Sequence, residues 1–223
     1  DDRKSSTRKW FLAHYKNPGS FHCGGNPDSA KMIAGKAGLD MPVMFYWAFR
    51  QLYQMDNVDM DREALDEMRR RWRYMVELQE DAGTLSEKFV LADGSGASES
   101  CHNYGAMPAF FLSFHVLGVR RDGPVWDKKL LIEPRLADLT SAEGVVATEF
   151  GPVPVSWKRT GDELSFRFEV PDGVTATLRI PGGDVSTWHM SGNADSPVKS
   201  GRCASVSVTA GRYQGKVRIS VLP

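Results

Sequence analysis

The residues most able to do chemistry are concentrated in one stretch, residues 80–107. Neither a helical nor an alternating apolar pattern is visible in it, and connections longer than roughly 12–15 residues are uncommon in compact domains unless they are functional or disordered. This stretch is therefore the strongest candidate in the chain for a functional site. Its polar and reactive side chains are Glu80, Asp81, Glu87, Asp93, Glu99, Cys101, His102 and Tyr104.

Glu87 is the candidate acid or base in this stretch, because apolar residues lie on both sides of it, Leu85 and Phe89. A carboxyl group held against apolar side chains has a raised pKa, which suits it to general acid or general base work. The alternative is a solvated glutamate beside Lys88, since perturbed carboxylates also arise for structural reasons. Both interpretations stay open on these residues alone.

His102, next to Cys101 and close to Tyr104, could bind a polar ligand, although a structural histidine held by hydrogen bonds is the plainer alternative. A zinc site built from His102 and Cys101 with the earlier pair His22 and Cys23 is disfavoured. Neighbouring residues cannot easily face one ion, and the usual ligand spacing is missing. A Cys101–His102 nucleophile and base is disfavoured for the same reason. We expect no metal and no cofactor.

A second group of aromatic residues, Phe45, Tyr46, Trp47 and Phe49, covers all sides of a predicted helix. Most of these rings are expected in a core. One of them could instead face a cavity and stack on a sugar, and Trp47 is the candidate.

The elements that position these residues are helical up to about residue 121. About five helices are predicted. The third begins at Asp61 and buries Leu65, Met68, Trp72 and either Met75 or Val76. The last runs from Pro108 to Leu117 and ends at Gly118, which is typical of the glycine that follows a helix.

After Arg121 the apolar period changes from helical to alternating, with strong turns at residues 160–162 and 171–173. Short strands with no helix between them indicate an antiparallel β-sandwich or an open barrel. We therefore predict two domains, a helical one over residues 1–121 and a β-domain over residues 122–223. The inward-facing residues of the predicted strands are Val153, Val155, Trp157, Leu164, Phe166, Phe168, Val170, Val174, Ala176, Leu178, Ile180, Ala204, Val206, Val208, Tyr213, Val217, Ile219 and Val221.

Composition excludes several function classes. The 28 basic and 28 acidic residues cancel, whereas a nucleic-acid or anionic-membrane surface would show a basic excess. The apolar runs are too short to cross a bilayer. Three distant cysteines, Cys23, Cys101 and Cys203, do not indicate a disulfide framework. The compartment stays open, with a periplasmic or secreted location favoured over a cytoplasmic one.

Two stretches resemble bacterial α-L-rhamnosidase-like, six-hairpin glycosidases. Residues 82–87 (AGTLSE) are similar to the family's Gly-Ala-Thr-Thr-x-Trp-Glu segment. Residues 100–112 (SCHNYGAMPAFFL) are similar to the Cys-His-Gly-Trp-Ser-Ala-x-Pro run that leads into the last barrel helix. Residues 116–119, 131–134, 151–157 and 173–181 continue the likeness into the C-terminal β-domain. Ser86 and Tyr104 stand where the family usually has Trp.

The resemblance implies the end of an (α/α)6 barrel followed by an antiparallel β-sandwich. It implies an inverting glycoside hydrolase in which Glu87 is the general base, while His102, Tyr104 and Trp47 contact the sugar. An inverting glycosidase needs two carboxyl groups roughly 6.5–9.5 Å apart. The general acid of the family lies upstream, so we expect a preceding segment or a companion chain to complete the barrel and cover the faces of Trp10, Phe45, Trp47 and Trp72. The isolated chain should be inactive.

Two alternatives stay open. The chain could be a non-catalytic carbohydrate-binding or structural module derived from the same family, in keeping with the changes at Ser86 and Tyr104. It could also be a polysaccharide lyase, with His102, Asn103 and Tyr104 near a uronate, although the order of the motifs favours hydrolysis. The expected partners are a carbohydrate substrate and the segment or chain that completes the barrel, and neither nucleic acid nor membrane is expected.

Overall fold

The computed structural model of the chain describes residues 61–78, 85–86, 103 and 105–220, together with the isolated positions 6 and 9, which are helical and exposed. The chain divides into two compact units, residues 1–109 and residues 110–223. Apart from positions 6 and 9, the helices predicted before Asp61 lie outside the described residues. The helical barrel and the boundary after Arg121 therefore stay predictions.

The first helix whose full range the structure describes, α1 (Asp61–Leu78), follows the predicted amphipathic pattern. Asp61 and Glu63 lie in its first turn, where acidic side chains interact favourably with the helix dipole. Trp72 and Met75 are buried, whereas Val76 is 59% exposed, so Met75 is the inward residue of the pair that the sequence left open. On the solvent side, ion pairs three and four residues apart add a few tenths of a kcal/mol each: Arg69–Asp66 at 3.1 Å and Arg73–Glu77 at 2.8 Å.

The helix predicted from Pro108 to Leu117 is made of two parts. α2 (Met107–Phe111) is α-helical, with Pro108 in its first turn, and it continues into a π-helical turn, Leu112–Val116. Leu117 N donates to Leu112 O at 2.8 Å, which closes the wider turn. Gly118 has φ 77°, and a Cβ at this position would overlap the backbone of Glu133. The predicted terminating glycine is confirmed, and no other residue fits there without displacing the chain.

The part of the second unit that the structure describes contains ten strands in two five-stranded sheets. One sheet has the order β1-β2-β6-β9-β8 and the other the order β3-β4-β5-β10-β7. The strands are β1 (Val119–Arg121), β2 (Lys129–Ile132), β3 (Ser141–Thr148), β4 (Gly151–Thr160), β5 (Glu163–Val170), β6 (Thr175–Pro181), β7 (His189–Ser191), β8 (Val198–Ser200), β9 (Cys203–Val208) and β10 (Gly211–Arg218).

The alternation predicted for these strands is confirmed. In β5 and β6, for example, every second side chain is buried. Each sheet therefore has one apolar face, and these two faces supply most of the buried apolar side chains of the second unit. The predicted inward residues between Val153 and Ile219 are buried; Val221 lies outside the described residues.

One strand pair departs from the antiparallel prediction. β2 and β6 are parallel, with Lys129 opposite Thr175 and Ile132 opposite Leu178. The chain forms three strands of the other sheet between them, so it re-enters the first sheet by a crossover rather than by a hairpin. The periodicity of a strand does not show its direction.

Trp157 of β4 links the second sheet to the π-helical turn. Its Nε1 donates a 2.9 Å hydrogen bond to the carbonyl oxygen of Val116. This satisfies a buried indole N–H and a carbonyl at the end of the turn together. No helix in the described part of the chain is both long and apolar enough to cross a membrane.

Candidate functional site

The described residues bring both predicted motif segments to one point, the backbone of Gly105. Trp72, on the buried side of α1, is 4% exposed, and its Nε1 donates a 2.7 Å hydrogen bond to the carbonyl oxygen of Gly105. A buried indole N–H and a buried carbonyl would each lose free energy if left without a partner. The hydrogen bond therefore ties the second motif segment to α1.

The first motif segment meets Gly105 from another direction. A Cβ added at Gly105 would lie 2.6 Å from Leu85 Cβ and 2.7 Å from the carbonyl oxygen of Ser86. Such distances are shorter than van der Waals contact, so only a glycine allows this approach. Ser86 is fully buried at this junction. We call the contact among Trp72, Leu85, Ser86 and Gly105 the loop junction.

A turn joins the loop junction to the helix that follows. Ala106 N donates to the carbonyl oxygen of Asn103 at 3.2 Å, and Ala109 N donates to the carbonyl oxygen of Ala106 at 3.1 Å. Asn103 itself is exposed, whereas Met107 is buried. The backbone on the C-terminal side of Gly105 is therefore held by regular hydrogen bonds.

The predicted site residues Glu87, His102, Tyr104 and Trp47 lie outside the described residues, as do the cysteine and histidine residues weighed for a metal site, His22, Cys23 and Cys101. Their chain neighbours are described, because Ser86 precedes Glu87 and Gly105 follows Tyr104. Within the described part of the chain, no three His, Cys, Asp or Glu side chains are placed to hold a metal ion.

Trp72 was predicted to need cover from a preceding segment or a companion chain. It is buried by the chain itself, so it presents no apolar face for another subunit. The same prediction for Trp10, Phe45 and Trp47 falls outside the described residues.

The second unit holds a charged cluster that the sequence did not identify. Glu133, 8% exposed, accepts hydrogen bonds at Oε2 from Arg120 Nη2 at 2.6 Å and from Arg179 Nη1 at 3.4 Å. Burial lowers the pKa of Arg120, and Glu133 counteracts this. A carboxylate shared by two guanidinium groups stabilises charges that would otherwise be buried alone, and this indicates a structural role.

His115, in the π-helical turn, is excluded as a proton donor at neutral pH. Burial, with the positive charges of Arg135 and Arg120, lowers its pKa to about 3. The ring stacks on Phe111 with 5.6 Å between centroids. The imidazole is therefore neutral and packed, although sequence alone would allow it to act as an acid.

Cys203, on β9, is a free thiol that is half-buried. Burial, followed by the nearby Glu133 carboxylate, raises its pKa. A nucleophilic cysteine needs a lowered pKa, so this thiol is not prepared for chemistry.

Comparison with known proteins finds a family match within the C-terminal half of the chain. Residues 118–195, about a third of the chain, match the family model of the bacterial alpha-L-rhamnosidase C-terminal domain. The resemblance to α-L-rhamnosidases seen in the sequence is thereby confirmed for this region. No curated protein sequence matches the chain.

The solved structures that are similar to the chain include two alpha-L-rhamnosidases. The alpha-L-rhamnosidase from Dictyoglumus thermophilum matches with a TM-score of 0.62 and 20% identity, over 79% of this chain and 21% of that protein. The Streptomyces avermitilis alpha-L-rhamnosidase complexed with L-rhamnose matches with a TM-score of 0.48 and 21% identity, over 58% of this chain and 13% of that protein. The chain therefore spans about a fifth or less of the length of either protein.

Proposed function

Because residues 118–195 match a bacterial α-L-rhamnosidase C-terminal domain, we propose that the chain is the C-terminal part of an inverting, α-L-rhamnosidase-like glycoside hydrolase. It would hydrolyse terminal sugars of oligosaccharides, polysaccharides or glycosides. The general acid would come from outside this chain, from an upstream segment or a companion chain that completes a helical barrel. The observation that supports one site for both motif segments is the loop junction.

The loop junction supports a single site for both motifs. Glu87 is bonded to Ser86, and Tyr104 is bonded to Gly105. Since successive Cα atoms are about 3.8 Å apart, each of these residues begins one peptide unit from the contact between Ser86 and Gly105. Two segments joined in this way can present side chains to the same sugar.

The proposed roles follow from the chemistry of each side chain. Glu87 would take a proton from the attacking water as general base. His102 would donate a hydrogen bond to a sugar hydroxyl, and Tyr104 and Trp47 would offer aromatic faces to the ring. A second carboxyl group, about 6.5–9.5 Å from Glu87, would protonate the leaving oxygen.

Burial of Ser86 supports the role of Glu87. Ser86, immediately before the proposed base, is fully buried, and this would hold the chain in place at the residue that precedes Glu87. Catalysis gains from such fixation because a misplacement of about 1 Å can cost about 100-fold in rate. A base carried on a free loop would lack this advantage.

The test is hydrolysis of nitrophenyl glycosides, α-L-rhamnoside first, by the complete enzyme that contains this chain. Glu87→Gln should lower kcat by several orders of magnitude. Glu77→Gln is the matched control, because Glu77 lies on the solvent side of α1 in an exposed ion pair with Arg73. The anomer of the first product, followed by NMR, tests inversion. Near-normal turnover by Glu87→Gln would refute the assignment of the base.

A non-catalytic carbohydrate-binding or structural module is the second candidate. Ser86 stands where the family usually has Trp, and it is fully enclosed, so this position offers no aromatic surface to a sugar. If the chain is such a binding module, calorimetry should detect saccharide binding by the chain, and none of the nitrophenyl glycosides should be hydrolysed. A complete enzyme whose activity collapses in Glu87→Gln would exclude it.

A further inference from the structure

We propose that the tip of the β1–β2 hairpin is a saccharide-binding surface, separate from the proposed catalytic residues, and that Trp126 is its stacking platform. Trp126 is 78% exposed, and the adjacent Val125 is 45% exposed. Both lie in a single 3₁₀ turn, Val125–Asp127. The indole of Trp126 is exposed to water although it lies on an ordered turn. A ligand that covers the ring would remove apolar surface from water, which favours binding.

The turn is fixed by backbone hydrogen bonds. Asp127 N donates to the carbonyl oxygen of Pro124 at 3.1 Å, and Lys128 N donates to that of Val125 at 3.3 Å. Asp122 N donates to the carbonyl oxygen of Lys129 at 2.9 Å, which closes the hairpin at its base. The backbone that carries Trp126 is thus ordered before any ligand arrives, and this reduces the entropic cost of binding.

The small size of the exposed apolar surface at the hairpin tip favours a sugar over a protein as the ligand. A stable protein interface buries about 800 Å² on each side, whereas a Trp buries about 150–250 Å². The other large apolar side chains that are exposed in the described second unit lie on different elements, such as Val145 on β3 and Val198 on β8. Trp126 and Val125 are the large apolar side chains exposed at the hairpin tip, and a surface of this size suits one pyranose ring, whose C–H groups would pack on the face of the indole.

Polar groups at the base of the tip complete the composition of a sugar site. Sugar sites combine an apolar surface with a few polar groups that fix orientation. Carboxylates accept hydrogen bonds from sugar hydroxyls, and ammonium and guanidinium groups donate them. Arg121 is held by Glu149 at 3.1 Å, with both side chains substantially exposed. The remaining charged residues are Asp122, Asp127, Lys128 and Lys129, all exposed.

The charges at the tip define the class of sugar. Arg121, Lys128 and Lys129 give three positive charges, and Asp122, Asp127 and Glu149 give three negative charges, so the net charge is 3 − 3 = 0. A site for uronates would show a positive excess. The expected ligand is therefore a neutral pyranose unit, such as a hexose or deoxyhexose within a polysaccharide.

Binding at the tip would hold an enzyme near a polymeric substrate and raise the local concentration of that substrate. This use rests on the proposed function, whereas binding itself does not require Glu87. A Trp126 variant should therefore leave hydrolysis of a small nitrophenyl glycoside unchanged. Glu87→Gln should abolish hydrolysis and leave polysaccharide binding unchanged, so the two proposals fail independently.

The test is native gel electrophoresis of the chain, within the complete enzyme that contains it, through gels that contain galactan, mannan, glucan or polygalacturonate. We expect at least one neutral polysaccharide to retard the chain, and Trp126→Ala to weaken this binding by about tenfold or more. Val145→Ala is the matched control, because Val145 is 65% exposed on another strand. Far-UV circular dichroism checks that both variants are folded.

Three outcomes would overturn the proposal. The first is that no neutral polysaccharide retards the wild-type chain. The second is that Trp126→Ala migrates as the wild type does, or that Val145→Ala loses as much binding. The third is a change of oligomeric state in Trp126→Ala by sedimentation, which would make the tip a contact between copies of the chain.

Discussion

The indole of Trp72 and the carbonyl of Gly105 are joined by a 2.7 Å hydrogen bond, although 33 positions separate them in the chain. The bond connects the buried side of α1 with the motif segment that leads into α2. Gly105 also contacts Leu85 and Ser86, which belong to the other motif segment. One backbone position thus sets the spacing of both segments, and perturbing it should affect stability and activity together.

The first prediction concerns the hydrogen bond itself. Trp72→Phe keeps an aromatic ring but removes the N–H, which leaves the Gly105 carbonyl without this donor. We expect a loss of about 1–3 kcal/mol from the free energy of unfolding. Residues 80–107 should also be cleaved faster in limited proteolysis, because local opening becomes more frequent. Trp126→Phe, on the exposed hairpin tip, should change the free energy of unfolding by less than about 0.5 kcal/mol. Equal behaviour of the two variants would contradict the role given to Trp72.

The second prediction concerns the close approach at Gly105. In Gly105→Ala the new methyl group overlaps Leu85 Cβ and the Ser86 carbonyl, so the two segments must separate, at a cost of about 1–3 kcal/mol. The complete enzyme should also lose activity, because Glu87 follows Ser86. Gly144→Ala is the matched control, since the nearest atom to its Cβ would be the flexible end of the Leu117 side chain, at 2.8 Å. A Gly105→Ala enzyme with wild-type stability and turnover would show that the contact does not position the site.

The β-domain was predictable because its periodicity is a local consequence of burial. Val153, Val155 and Trp157 alternate with exposed or half-exposed residues, and each sheet buries one face. Gly118 was equally predictable, since a terminating glycine follows from the helix before it. These features depend on a few neighbouring residues, which a sequence displays directly.

The features that were not predicted depend on residues far apart in the chain. Parallel pairing of β2 with β6 arises from the crossover between the sheets, and strand periodicity is the same in either direction. The ion pairs of Glu133 were not predicted, because its partners Arg120 and Arg179 lie on two strands far apart in the chain. The contact of Trp72 with Gly105 was missed for the same reason. Gly105 offered a weak signal, as a glycine two residues before the α2 helix.

The third prediction tests the charged cluster. Glu133→Gln leaves Arg120 and Arg179 beside each other without the carboxylate, and the loss of stability should be about 2–3 kcal/mol, after allowance for the partial exposure of Arg179. Glu149→Gln is the matched control, because its ion pair with Arg121 is exposed on both sides and should contribute less than about 1 kcal/mol. Added salt should reduce the effect at Glu149 more than the effect at Glu133. Losses of the same size in urea titrations would indicate that the Glu133 cluster is no more than a surface ion pair.

The fourth prediction is a pH dependence due to His115. Its pKa is about 3 in the folded chain, against 6.5 without the fold, so the unfolded state binds the proton more readily between these values. Stability from the neutral imidazole is fully present above pH 6.5, decreases as the pH falls from 6.5 towards 3, and decreases no further below that.

His115→Gln removes this titration. The difference in unfolding free energy between wild type and variant should therefore slope by up to about 1.4 kcal/mol per pH unit within this range and be flat above it. The exposed His189, changed to Gln, is the control for a histidine outside the core. The prediction is wrong if the difference in unfolding free energy between wild type and His115→Gln stays constant between pH 3 and pH 6.5. His115 would then take up a proton in the folded chain, and the charges of Arg120 and Arg135 would not prevent it.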